Sequence, residues 1–221
     1  MEIIVSPEFR NICPDFKGGA IMATITNSKT STELWDEITK ECQLLASNFT
    51  TDSIKQRSGI AATREAYRKA GKDPSRYRPA CEQLARRALQ GKELYSIDTI
   101  VDLGNLVSLV SGYATAMLDY DKIEGSKITL RLGKIDDIYE GIGRGQLNIE
   151  SLPVYCDKAS GIATPTSDSV KTMISSETRH LLMLINAYDG DMENLNTTIN
   201  RAISLLIHYA KAQDVTHFIY E

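Results

Sequence analysis

The hydrophobic period changes twice along this chain, and that order restricts the fold more than any single motif. Leu34, Ile38, Cys42, Leu45 and Phe49 recur at steps of three and four, with Trp35 beside the same stripe, which predicts an amphipathic helix. Thr30 followed by Glu33 fits a capping box at its start. AATREAYRKA at 61–70 reads as a second helix closed by Gly71. A third runs from Pro79 to about Gln90 and stops at Gly91. A fourth spans Asp98 to Ser111, with Leu103, Leu106, Val107 and Val110 on one side. Between the second and third, DPSRYRP must be extended or turned, because two prolines restrict it and the residues before them.

Beyond that point the pattern shortens. KITLRLG alternates and reads as a strand, IYEGIGRGQ as a glycine-punctuated strand and turn, and SLPVYCD as another short strand. LLMLINAY is a continuous apolar run that fits a buried strand or a helix, and its short length before Gly190 favours the strand. Met192, Leu195, Ile199, Ala202, Leu206 and Tyr209 then restore the helical period. Ahead of all this, EIIVSPEF and GGAIMATIT suggest two short strands through their β-branched residues. Helices first, then mainly strands, then a helix is the pattern of an α+β fold with a mixed sheet. Residues 1–54 are expected to complete the unit formed by 55–221.

Charge is unevenly spread. Eleven Lys or Arg stand against three acids between Lys55 and Lys92, a local balance of +8 in a chain whose net charge is −4. Such asymmetry suggests a basic face for an anionic partner, or solvated helix faces rich in arginine. The candidates for phosphate contact are Arg64, Arg68, Lys72, Arg76, Arg78, Arg86 and Arg87; the last two are adjacent, so at most one points at the partner and the other is expected to pair with a carboxylate such as Glu82. No apolar run is long enough for a transmembrane helix, and residues 1–19 carry charges where a signal peptide would be apolar. A cytoplasmic protein without membrane or DNA partners is the expectation.

Several chemistries lack their signatures. There is no phosphate-binding loop of the G-x-x-x-x-G-K-[ST] type and no G-x-S-x-G elbow. GIGRG lacks the spacing and following helix of a dinucleotide site and reads as a turn. Cys13, Cys42, Cys81 and Cys156 have no metal-ligand spacing and read as buried or incidental thiols. Neither metal nor cofactor is expected.

Two polar islands remain. Asn105 sits among Leu103, Leu106 and Val107, and a buried amide without partners costs about 1–3 kcal/mol, so it either ties loops together or contacts a ligand. The stretch ASGIATPTSDSVKT concentrates small polar groups at Thr164, Thr166, Ser167, Asp168 and Ser169. They can cap local structure or present hydroxyls and N–H groups to a polar ligand.

Taken in order, RYRPACEQLARRALQGKEL, DLGNLVSLVSG, DYDKIEGSKITLRLGK, GIGRG and LPVYCDKASGIATPTSDSVKT resemble the B3/B4 domain, the editing domain of the phenylalanyl-tRNA synthetase β subunit. The similarity is greater to freestanding proteins made of that domain alone, and it covers about residues 55–210. It implies an α+β fold with a pocket between its sheets, which in the synthetase hydrolyses tyrosine wrongly attached to the phenylalanine tRNA. Carried over by motif, the pocket takes Asn105, Asp157, Gly161, Ala163, Thr164, Thr166, Asp168 and Ser169. The positions of the family's histidine and glutamate fall on Ala116 and Leu184, so the groups that orient water and recognise the tyrosine hydroxyl are absent. Two functions follow from the resemblance: trans-editing of mischarged aminoacyl-tRNA, or non-catalytic binding of an amino acid or similar small polar ligand.

Overall fold

A computed structural model describes residues 1–221. Its elements are, in chain order, β1 (Glu2–Val5), α1 (Pro7–Ile12), β2 (Lys17–Thr24), α2 (Thr32–Asn48), α3 (Ser58–Lys69), α4 (Ala80–Leu89), α5 (Thr99–Ser111), β3 (Ala114–Asp119), β4 (Lys127–Leu132), β5 (Glu140–Gly141), β6 (Gly145–Gln146), β7 (Pro153–Cys156), β8 (Gly161–Ala163), β9 (His180–Ala187), α6 (Met192–Ala210) and β10 (Gln213–Tyr220). This is an α+β fold. No helix is long and apolar enough to cross a membrane.

Two four-stranded sheets carry the architecture. One runs β1-β4-β7-β8 and the other β10-β2-β9-β3. Alternation along the strands of the second sheet sorts its side chains into two cores. Ile21, Met117, Met183 and Ile185 point to helices α2, α4, α5 and α6 and join the larger apolar cluster. Ala20, Ala116, Leu182 and Leu184 point the other way and pack with Ile128, Leu130, Tyr155 and Ile162 of the first sheet. The order is therefore helices, sheet, sheet. β9 lies between both cores, which is why LLMLINAY has no polar alternation: a strand covered on two faces needs none.

Residues 1–54 do not stand apart. β1 pairs in parallel with β4, and β2 lies between β10 and β9. The α6 stripe of Leu195, Ile199, Ala202 and Leu206 is buried in the larger core, with Ile203 packed at its border. The final strand, β10, has no counterpart in the sequence reading. It is an edge strand with an irregular register, and QDVTHFIY leaves half of its residues exposed and buries only Tyr220, so its alternation is weak.

Helix ends follow their local chemistry with one shift. Ser31 rather than Thr30 caps α2, accepting from the Leu34 N–H at 3.2 Å. The Thr30 hydroxyl donates instead to Asp102 at 2.5 Å. Asp98 caps α5 by accepting from Val101 N–H at 2.9 Å, and Gly112 closes that helix at φ +78°.

Candidate functional site

The turn from Thr164 to Ser169 is built by its own hydroxyls. Thr164 Oγ1 accepts from the N–H groups of Thr166 and Ser167 at 3.2 and 3.1 Å and donates to Ser167 O at 2.9 Å. Thr166 Oγ1 donates to Tyr77 O at 2.7 Å and bonds the Tyr67 hydroxyl at 2.9 Å. Tyr139 donates to Ser167 O at 2.7 Å, and the N–H of Ala80, at the start of α4, bonds Pro165 O at 2.7 Å. The turn is thus clamped against α4 and the β5-β6 hairpin. With its hydroxyls so engaged, the group it leaves open is the Asp168 carboxylate.

Asp168 lies at the wall of a cavity of about 260 Å3. Met117, Val101 and Ile174 supply apolar surface, while Asn105, Thr115 and Thr164 supply the polar edge. α5 places Asn105 and β3 places Thr115 and Met117. Gly104 is required here: a Cβ at that position would come within 2.6 Å of Met117 Cγ. Asp168 accepts one hydrogen bond, from Met117 N–H at 3.3 Å. Burial pushes its carboxyl up to about 7, against a weak opposing pull from that N–H.

The cavity shares Ala80, Asn105, Ile142, Ser167 and Asp168 with a wider mouth of about 770 Å3. Five cations line the mouth: Arg78, Arg86, Arg87, Lys92 and Arg144. Asp168 is the one acid among its lining residues. Behind them Glu82 is fully buried and pairs with Arg64 at 2.8 Å, Arg86 at 2.8 Å and Arg78 at 3.6 Å. Arg87 donates to Glu93 O at 2.7 Å and stacks over Tyr95 at 4.1 Å. Arg144, from the GIGRG turn, donates to Gln83 at 2.5 Å. Positive charge therefore gathers at the opening, and a single acid without an ion pair, Asp168, lies where the opening meets the cavity.

The residues named from sequence divide accordingly. Asn105, Thr164 and Asp168 line the cavity, and Thr166 lines the mouth through a turn its hydroxyl holds in place. Asp157 is not on the border. It accepts from Lys171 at 2.7 Å and from the N–H groups of Glu124, Ala159 and Ser160, each at 2.9 Å. Burial alone would raise its pKa, but these bonds outweigh it and hold the carboxyl below its ordinary value. Gly161 faces the Tyr139 ring, which a Cβ would meet at 2.9 Å, so the close approach it permits is internal. Ala163 is buried in the core between the sheets, and Ser169 caps a 3-10 turn by accepting from Lys171 N–H at 3.2 Å.

The basic candidates divide too. Arg64 is not a surface contact: it is buried against Glu82 and donates to Pro74 O at 3.2 Å. Arg68 is exposed and paired with Glu65 at 3.0 Å. Lys72 and Arg76 lie over the Tyr77 ring at 4.2 and 5.6 Å, outside the mouth. Arg78 and Arg86 line it. Arg87, a sequence candidate beside Arg86, also lines the mouth, while sequence reasoning missed Lys92 and Arg144 as site residues. Arg144 carries no sequence signal beyond its place in a glycine turn, because only the packing of the β5-β6 hairpin beside α4 brings it there.

Ala116 and Leu184 are direct cross-strand partners on β3 and β9. Both face the core between the sheets, not the cavity. Thr115 and Met117, which flank Ala116 on β3, face the cavity, since successive residues of a strand point to opposite sides.

A family model described as the B3/4 domain matches residues 62–211. The chain belongs to the B3/4 domain family. The fold agrees: this B3/4 protein aligns over its full length with the crystal structure of an N-terminal fragment of the phenylalanyl-tRNA synthetase β-subunit from Pyrococcus horikoshii, at 10% identity and a TM-score of 0.50. The chain spans 54% of that fragment. No curated protein matches the B3/4 chain in sequence.

Proposed function

We propose that this B3/4 protein binds the 3′ end of an aminoacylated tRNA and hydrolyses the ester in trans. The observation that carries the reading is the direct opening of a small apolar cavity into a mouth lined by Arg78, Arg86, Arg87, Lys92 and Arg144. An aminoacyl group suits the cavity in size and polarity, and the phosphates of the terminal nucleotides suit the mouth. Cations on phosphates contribute affinity and register without reading sequence. The likeness to a tRNA synthetase β-subunit and the family membership support a tRNA partner. Such a protein would work in the cytoplasm, where the tRNA pool is.

Hydrolysis here rests on positioning. The Asn105 amide stands where it can hold the acyl carbonyl, and the clamped turn limits where water can sit. Water adds to the ester carbonyl, the vicinal ribose hydroxyl assists proton transfer, and the products are free amino acid and deacylated tRNA. A panel of mischarged tRNAs, assayed for deacylation with and without the protein, tests the reading. Acceleration of at least one member is expected. Binding without acceleration of any would leave the non-catalytic pocket.

That second reading has its own support. The two positions where the family resemblance expects an imidazole and a carboxylate hold Ala116 and Leu184, and both face away from the cavity. A small molecule that copurifies with the protein would favour it.

A further inference from the structure

We propose that Asp168 anchors a ligand's ammonium group, so that the site takes a primary amine joined through a short carbonyl-bearing segment to a phosphate-bearing group. The inference rests on the cavity being the acyl end of the proposed site and deepens that reading.

The buried carboxylates in this fold are saturated by the protein, whereas Asp168 is half-buried at the junction of cavity and mouth. Asp102 accepts from Thr30, Ser96 and the Ile97 N–H. Asp119 accepts from Thr178 at 2.8 Å and pairs with Lys122 at 3.2 Å. Asp157 has Lys171 and three N–H groups. Glu82 has its arginines. Asp168 has one N–H at 3.3 Å and no cation. The cavity it lines has Met117, Ile142 and Ile174 as apolar wall and Asn105, Thr115 and Thr164 as polar edge, with no cation among them. A half-buried carboxylate with one N–H and no ion pair keeps room for a cationic partner, and a ligand ammonium can supply it. The raised pKa has the same origin, since a bound cation is the missing partner.

Charge order adds a second constraint. The Asp168 carboxylate and the Asn105 amide both lie where the cavity meets the mouth, and the cations line the mouth alone. A complementary ligand carries an ammonium and a carbonyl close together at that junction and phosphate beyond them in the mouth. An α-aminoacyl ester of a nucleotide has that order. An N-blocked ester lacks the first element, and a free nucleotide lacks the first two.

Two probes separate this inference from the function it deepens. The first is a set of amino acid amides (alanine, leucine and phenylalanine) against their N-acetyl forms, titrated calorimetrically into the full chain near pH 7. At least one free amine should bind about tenfold more tightly than its N-acetyl form, the worth of one charge-assisted hydrogen bond. Asp168→Asn should reduce that preference to within about twofold. Asparagine can still accept from the Met117 N–H, so the variant should keep its fold. The second probe is an RNA minihelix bearing a non-hydrolysable 3′-aminoacylamide, with the amine free or acetylated, beside the deacylated RNA. Equal binding of free and blocked amines in both probes, or a preference that survives Asp168→Asn, would overturn the ammonium assignment. Failure of every RNA to bind, with the amide preference intact, would instead overturn the tRNA reading and leave the assignment standing.

Discussion

Arg64 on α3 donates to Glu82 on α4 across 2.8 Å, with Glu82 fully buried and Arg64 almost so. The pair joins two helices through the interior and holds the acid that Arg86 and Arg78 also use. It turns a residue from the basic stretch into a strut behind the mouth.

Removing the acid should therefore be severe. Glu82→Gln leaves the Arg64 guanidinium buried without its counter-charge, and breaking such a pair from one side costs about 3–5 kcal/mol. Arg64→Met should cost less, because Arg86 and Arg78 remain on Glu82 and the methionine restores apolar contact. Urea denaturation of the three proteins checks the order.

Leu206 is fully buried on the face of α6 that meets the larger core. Leu206→Ala should lower stability by about 2–5 kcal/mol, combining lost transfer energy with the cavity left behind. An unchanged midpoint would contradict the role of α6 as packing.

The mouth should show itself in salt dependence. Each cation withdrawn from a phosphate should flatten the slope of log affinity against log salt by about 0.7–0.9. Arg87→Gln and Arg144→Gln are each expected to do so, with weaker tRNA binding. Arg68→Gln should leave the slope nearly unchanged, because Arg68 is paired with Glu65 away from the mouth. Binding isotherms at two ionic strengths decide this.

Asp168 should leave a mark on stability as well as on binding. Its folded pKa of about 7 lies above the unfolded value of 3.8. The folded state then holds the proton more tightly, so the stabilisation is complete below pH 4 and lost as pH rises through 7. Asp168→Asn, which cannot ionise, should be more stable than the parent by about 1–3 kcal/mol at pH 8, at about 1.4 kcal/mol per pKa unit as the ceiling. The advantage should shrink toward pH 4. Parallel melts across pH 4–8 would show a gap that closes on the acid side; a constant gap would contradict the linkage.

Tyr188 gives a simpler test. Its hydroxyl is buried in the core between the sheets without a hydrogen-bond partner. An unsatisfied buried hydroxyl costs about 1–3 kcal/mol, so Tyr188→Phe should be neutral or stabilising. A thermal melt reads it directly.

What local pattern governs was readable in the chain. Helices α2 to α6, the buried strand β9 and the α+β class follow from apolar spacing, and the turns at Gly71 and Gly91 from residues that tolerate positive φ. Asn105 and Asp168 stood out as polar groups in unusual company, and the cavity holds both. Tertiary structure decided what each did next. Asp157 and Asp168 are chemically alike and eleven residues apart, yet Lys171 and three N–H groups saturate one while the other meets a single N–H. Arg64 and Arg86 share a basic stretch, yet one is turned inward and the other reaches the mouth. Ala116 and Thr115 differ by one step on β3 and face opposite sides of the sheet. Spacing along a chain sets which element a residue joins. The partner that satisfies or leaves open its charge comes from elements far away in sequence, and only the packed fold brings those to it.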